Sequence, residues 1–435
     1  MTNERKLNPN DIALSSKFKI EIFAQGLDSP INIMFTKEYG MLIADAGVTD
    51  GNGKVLKYTE NGFVVVADGF TPPLTGINFY KGNIYVSHRG FITIVKSDGK
   101  KEDILAGLPS FGDHHNNRVV FGIDGKMYFG QGTATNSGVV GEDNDWAKKY
   151  PFFHDYPGTR IRLTGQNFKT SNILTGSKHE KENVHTGAFS PFGVQTDSGE
   201  VMRVITAASG SILRANPDVS QLELVAWGLR NPFRIKFDRR NRLYSTDHGM
   251  DERGSRHIAN SPDGFWRIHK GVWYGWPDYT GGRPVVLPQF KPEGKPQPTF
   301  LIHPHPMNPP KPAAVFAPHS AAMGFDFNYN PEFGTIGDIY IAEFGSGAPG
   351  TTGGKPLPEV GHRVSRINLA TGTIKNFAIN KSGFAASHTD GGGFERPIDV
   401  VFGQSGDLYV LDMGISAKGE GFVPKTGVVW KITHK

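Results

Sequence analysis

One short unit recurs six times along this chain of 435 residues and constrains its fold more than any other feature. It reads "MLIADAG" at 41–47, "NIYVSHRG" at 83–90, "KMYFGQG" at 126–132, "RLYSTDHG" at 242–249, "DIYIAEFG" at 338–345 and "DLYVLDMG" at 407–414. Tyrosine takes the equivalent place in five of them (Tyr85, Tyr128, Tyr244, Tyr340 and Tyr409), and Ile43 takes it in the first. A turn precedes each unit, and before the turn comes an apolar strand such as "INIMF", "RIKFD" or "IDVVFG". A third strand follows, then usually a turn and a fourth, as in "KVLKYTENGFVVVA" and "RVSRINLATGTIKNFA". Self-similarity of this kind marks a repeat architecture. Four antiparallel strands repeated six times predict an all-β protein, a six-bladed β-propeller. The C-terminal "GVVWKITH" is a third strand lacking a fourth, and the N-terminal "FKIEIFA" is a fourth strand on its own. Pairing the two in one blade closes the ring and removes both open edges.

Glycine (55) and proline (29) are spread along the whole length, as many tight turns require, so residues 1–435 read as one propeller domain. Even spacing fails in two places. Insertions at about 133–208, between the second and third strands of the third blade, and at about 277–316 are expected to rise on the rim that carries the blade-to-blade loops. The net charge of +5 is dispersed, with no basic face for nucleic acid. No stretch is long and apolar enough to span a bilayer. The absence of cysteine excludes disulfides, thiolate metal sites and covalently attached haem. No dinucleotide-binding glycine fingerprint follows a strand. The opening "MTNERKLNPNDIALSS" has no apolar secretion core, which reads as cytoplasmic at face value and as extracytoplasmic if a leader was removed.

The six blade-to-blade loops are "GLDSPIN", "GFTPPLTG", "GLPSFGDHHNNRV", "GLRNPFR", "FAPHSAAMG" and "GFERPID". Glycine and proline serve the turns, and three loops add titratable chemistry: Asp113 with His114, Arg230 with Asn231, and Arg396. Such loops reach the axis of a propeller, so these groups are expected to converge. A histidine titrating near 6.5 suits a base at neutral pH, and Asp113 beside it can hold one tautomer. His115, Asn116 and Asn117 read as residues that fix the loop. "HPHP" (His303, His305) can chelate a metal or lie solvated. "DHGMDER" (247–253) can form a carboxylate calcium loop or pair with Arg253 and Arg256. The aromatics of "VWYGWPDY" can pack an insertion or line a sugar cleft.

"VAWGLRNPFRIKFDRRNRLYSTDHGMDERGSR" followed by "GVWYGWPDYTGG", together with "DHHNNRVVFGIDGKMYF", resembles the soluble glucose/sorbosone dehydrogenase family, six-bladed quinoprotein sugar dehydrogenases. The resemblance implies oxidation of an aldose or related sugar with pyrroloquinoline quinone and calcium, electrons leaving to an external acceptor. It implies His114 as the base that takes the hydroxyl proton while hydride passes to the quinone. Arg230 would offset charge on the reducing quinone oxygen, Asn231 would bond the same cofactor edge, and Arg396 would grip carboxylates. The carbonyls of Gly249 and Met250 would hold calcium, a cation that favours hard oxygen ligands.

The chain departs from the family pattern at several positions. Phe344 and Gly345 stand where a cofactor lysine is expected, Ile398 replaces a second arginine, Met250 a proline, and Thr133 a substrate-side aspartate. His248, Arg253 and Arg256 are the cations available to replace those missing, with His248 placed among the cofactor-binding residues. Two readings from other classes stay open at this level: a calcium-dependent propeller lactonase or other hydrolase, and a non-catalytic propeller that binds carbohydrate or protein. Which sugar is used, and the oligomeric state, are not legible in the sequence.

Overall fold

The structure, a computed structural model, describes residues 5–175, 183–417 and 421–435. Six antiparallel sheets follow one another in chain order, each with its first strand innermost. Blade 1 comprises Pro30–Thr36, Gly40–Asp45, Gly53–Thr59 and Gly62–Phe70. Blade 2 comprises Leu74–Tyr80, Asn83–His88, Phe91–Val95 and Lys101–Leu105. Blade 3 is built from Val120–Phe121, Met127–Gln131, Ser211–Ala215 and Glu223–Trp227. Blade 4 is built from Ile235–Phe237, Leu243–Asp247, Pro262–Arg267 and Ala314–Pro318. Blade 5 contains Ala322–Phe327, Ile339–Glu343, Arg363–Asn368 and Thr373–Asn380, and gains a fifth strand, Ile12–Leu14, which the repeat pattern does not announce. Blade 6 joins Pro397–Phe402, Leu408–Asp412 and Gly427–His434 to the N-terminal Phe18–Leu27, so the ring closes as expected. Among the described residues no helix is long and apolar enough to cross a membrane.

The repeated tyrosine has a physical reason. In each case its ring meets, edge-on, a phenylalanine on the first strand of the next blade. The pairs are Tyr85–Phe121, Tyr128–Phe237, Tyr244–Phe327, Tyr340–Phe402 and Tyr409–Phe35, with centroids 4.9–5.6 Å apart. Edge-to-face pairs contribute roughly 0.5–1.5 kcal/mol beyond the apolar area they bury, so the unit is a seam between blades. The acid ending three of the second strands has a second task. Asp45 accepts the backbone N–H groups of Ser29 and Gly47, Asp247 those of Arg230 and Asn231, and Asp412 those of Glu395 and Arg396. A carboxylate at the strand's end thus fixes the loop arriving from the neighbouring blade.

The first insertion leaves between Met127–Gln131 and Ser211–Ala215, as expected. The second leaves from the connection between the third and fourth strands of blade 4, which opens on the opposite face. It reaches the loop-bearing rim by climbing the outside of blade 3, where Trp273 bridges Trp227 in parallel and Trp276 N–H donates to Gly228 O at 2.7 Å. The two insertions then share one apolar core that includes Ile161, Leu163, Phe189, Trp273, Trp276 and Leu301. Of the "VWYGWPDY" aromatics, Trp273, Trp276 and Tyr279 are spent on that packing, and Tyr274 packs on Trp266 of blade 4. His305 stacks on Trp273 and bonds Asp278 at 3.0 Å, so the two "HPHP" histidines form no metal pair.

Candidate active site

On the loop-bearing rim, at the axis, lies a pit of about 320 Å³ lined by Asp113, His114, Arg230, His248, Gly249, Met250, Asp251, Arg253, Asp263 and His319, with Gly345 and Gly347 opposite. The third and fourth loops are sewn together beneath it. Asn117 Nδ2 donates to Asn231 Oδ1 at 3.2 Å and Pro232 O at 3.0 Å, and Thr133 N–H donates to Arg230 O at 2.9 Å. Gly132 is required at this crossing, because a Cβ there would lie 2.3 Å from the Cβ of His114.

The imidazole of His114 is oriented by Thr133, not by Asp113. Its Nδ1 lies 3.1 Å from Thr133 O and 3.2 Å from Thr133 Oγ1, whose own proton goes to Thr135 O at 2.7 Å. Both partners are acceptors, so Nδ1 carries the hydrogen and Nε2 keeps its lone pair. Nε2 has no protein partner among the described residues. Burial, then the charges of Arg230 and Arg253, hold this imidazole well below its usual range, so it is neutral at pH 7. Asp113 points the other way. It accepts from Arg253 at 2.6 Å, Trp146 Nε1 at 3.0 Å and Asn144 Nδ2 at 3.1 Å, so the expected aspartate–imidazole bond is replaced by an ion pair with a blade 4 loop and two hydrogen bonds from the first insertion.

Arg230 is 4% exposed and gripped on one side: Nε donates to Asn136 O, and Nη2 to Asn136 Oδ1 and Asp251 Oδ2, all at 3.0 Å. Nη1 alone has no protein partner among the described residues. Burial by itself would raise Asp251; Arg230, His319 and Arg253 outweigh it and bring its carboxyl to about 2. Asn231 donates through Nδ2 to His248 Nδ1 at 3.1 Å, and His248 Nε2–H then donates to Ala322 O at 3.1 Å. His248 is therefore a locked neutral ring, further discouraged from protonation by burial. It does not supply the extra cation expected of it. Neither do the two arginines. Arg253 is divided among Asp113, Asp143 and Asp251. Arg256 sits in the insertion core on Asp278 and the carbonyls of Ser137, Pro277 and Thr299. Arg396 lies on the rim outside the lining, against the ring of Phe344 and donating to Ser346 O at 2.8 Å.

A hard cation fits one wall of the pit. The carbonyls of Gly249 and Met250 accept no hydrogen bond from described residues, while their N–H groups are tied to Asp263 and Ser261. Among the described residues no three His, Asp or Glu side chains gather to hold a metal, so an ion here would rely on backbone oxygen. A tricarboxylate does not fit the lining as it stands. In the lining Asp113, Asp251 and Asp263 outnumber Arg230 and Arg253, and no guanidinium or ammonium there is left over. Two of the three "DHGMDER" carboxylates are likewise spent, Asp247 on loop N–H groups and Asp251 on arginines.

The fold and pit together define a six-bladed propeller with a polar axial site holding a neutral histidine and a one-sided arginine. Residues 168–305 match the glucose/sorbosone dehydrogenase family model, and the resemblance read in the sequence holds. A curated relative, quinoprotein glucose dehydrogenase B of Acinetobacter calcoaceticus, is 27% identical over 184 residues, covering 42% of this chain and 30% of the relative's length. In fold the chain is similar to a Trichoderma reesei family AA12 carbohydrate-active enzyme (TM-score 0.59, 15% identity, all of both chains). It is similar also to the holo pyranose dehydrogenase PQQ domain of Coprinopsis cinerea (TM-score 0.59, 15% identity, 97% of both chains). A third is the PQQ-bound aldose sugar dehydrogenase of Streptomyces coelicolor (TM-score 0.53, 16% identity, 97% of this chain and all of the other).

Proposed function

We propose that this chain is a sugar oxidoreductase in which His114 removes the hydroxyl proton of an aldose or related sugar. The observation that carries the reading is the free Nε2 of a neutral, Thr133-locked imidazole in the same pit as the unpartnered Nη1 of Arg230. A lone pair facing a pit is what a general base needs. A guanidinium held from behind by Asn136 and Asp251 is set to meet negative charge as it develops on an oxygen.

The finer reading is pyrroloquinoline quinone with calcium, supported by the names of the relatives. Bound there, the quinone would accept the two electrons released from the sugar. Gly249 and Met250 are the residues to hold calcium, and its two charges would give the lining the positive surplus it otherwise lacks. Binding of the quinone is therefore expected to depend on calcium. Titrating the protein with the quinone, with calcium and then with a chelator, while following cofactor absorbance, tests this apart from turnover. Reduction of an acceptor dye across a panel of aldoses tests the activity. Sugar-lactone hydrolysis without quinone would replace the proposal with a hydrolase.

A further inference from the structure

One layer below the pit, each of the six innermost strands or its approach places a residue at the axis: Asn32, Gly76, Arg118, Arg234, Gly324 and Asp399. Their contacts cross between blades. Asn32 Nδ2 donates to Asp399 Oδ2 at 2.6 Å, and Arg234 Nη2 donates to Ile31 O at 3.1 Å and lies 3.5 Å from Asp399 Oδ2. A Cβ on Gly76 would meet both Arg118 Cβ at 2.6 Å and Arg234 Nη1 at 3.1 Å. The side chain of Arg234 is 1% exposed, yet its Nε and Nη1 have no partner among the described residues; Arg118 is half-buried, and its buried Nε likewise has none among them. Arg118 makes no hydrogen bond or ion pair with any described residue.

Two guanidiniums thus share this layer with one close carboxylate, Asp399, which already accepts from Asn32 and from Ile33 N–H at 3.2 Å; Asp326, which also acts on Arg118, is paired with Lys236. Arginine does not shed its charge in a protein, and buried N–H donors without acceptors are costly. Even with burial and Arg234 pressing on it, Arg118 titrates at about 10, so it stays cationic at neutral pH. Water can satisfy a donor and leaves the surplus charge in place. We infer that Arg118 and Arg234 hold a small inorganic anion, of the halide class, at the centre of the propeller. It would accept from the unpartnered nitrogens of both arginines and neutralise the axis. The layer is closely packed even at its glycines, since a Cβ on Gly324 would lie 1.9 Å from Asp399 Oδ1, and this disfavours larger organic anions.

Bromide is the probe, because it can be located by anomalous scattering. Crystals of the full chain grown in sodium bromide are expected to show a peak between the two guanidiniums. In solution the melting temperature should rise saturably with bromide, by about 3 °C at a hundredfold excess over Kd, relative to sodium methanesulfonate at equal ionic strength. The Arg118→Met variant should lose both the peak and the ion-specific rise. Arg118→Gln, which keeps donors but drops the charge, is the second variant should the first fail to fold, and it too should lose the rise. No axial peak, a rise common to both salts, or a rise retained without Arg118 overturns the inference.

Discussion

The pit and the layer beneath it are made by the same two loops, "DHHNNR" and "RNPFR", and they treat charge in opposite ways. Above, His114 and Arg230 face the pit, and each arginine is met by acid: Arg230 by Asp251, Arg253 by Asp113, Asp143 and Asp251. Four residues further along each loop, Arg118 and Arg234 are left with Asp399. Between the layers lie the Asn117–Asn231 bond and Phe233, which stacks on His248 and faces the Arg234 guanidinium. Arginine at the axis therefore has no single meaning. Where carboxylates from the rim loops and the first insertion reach it, it organises a site; where only inner strands surround it, it is left with donors to spare.

The contrast breaks most visibly at His114. His114→Gln keeps a polar side chain but removes the base, and is expected to lower turnover by roughly 10²–10⁴-fold. The melting temperature and its bromide response should stay near those of the parent. If activity survives in steady-state assays, the upper layer is not a proton-transfer site.

Next in size is Arg253. Arg253→Met leaves Asp113, Asp143 and Asp251 facing one another with less counter-charge, and breaking a buried ion network costs about 3–5 kcal/mol. Denaturant unfolding should show that loss. Asp143 offers a check on its sign. Burial and the neighbouring Asp113 raise its carboxyl to about 6 despite Arg253. Its folded pKa exceeds the unfolded value, so protonation favours the fold below pH 4 and that contribution disappears as pH rises through 6. Without Arg253 the ionised carboxylates are penalised more, and the variant's deficit should be larger at pH 8 than at pH 4.

The activity profile sharpens the comparison from another side. Burial, Arg230 and Arg253 all push His114 below 6.5, and an imidazole acts as base only above its pKa. The kcat/KM plateau should therefore extend into acid beyond where an ordinary histidine fails. Arg230→Met removes one of the charges pressing on the ring, so its acid limb should move up toward 6.5 as well as its rate falling. A limb that stays in place means the arginine does not act on His114.

Much of this was legible in the residues. The six units announced the blades because five of them carry a seam tyrosine in the same place, a local pattern repeated in sequence. Convergence of His114 and Arg230 followed from the topology that such a repeat enforces. The partner of Asp113 did not, because Arg253, Asn144 and Trp146 arrive from irregular excursions whose path no periodicity records. Thr133 as the residue holding the imidazole was hidden for a related reason: a threonine carbonyl carries no sequence signal, and an adjacent aspartate looked the better candidate. The route of the second insertion was misjudged because a crossing outside blade 3 leaves no mark on strand alternation. Arg118 and Arg234 were in plain view at the ends of both motifs, and only the cross-blade contacts show that Asp399 is the one close carboxylate between them.

The smallest expected effect discriminates best between the layers. Arg118→Met removes a half-buried guanidinium that no described residue hydrogen-bonds or ion-pairs, so it orphans no hydrogen-bond partner and relieves repulsion from Arg234. Replacing buried charge by apolar volume is often neutral or stabilising, and in salt that cannot occupy the axis the variant should match or exceed the parent by up to about 1 kcal/mol. In bromide the order should invert, since only the parent gains from the bound ion. Arg253→Met is destabilised in either salt. Two arginine-to-methionine changes at neighbouring depths of one propeller would then differ in sign, and the difference would lie in which carboxylates reach each guanidinium. Equal losses at both positions, independent of the anion, would mean that the lower arginines are held by packing alone.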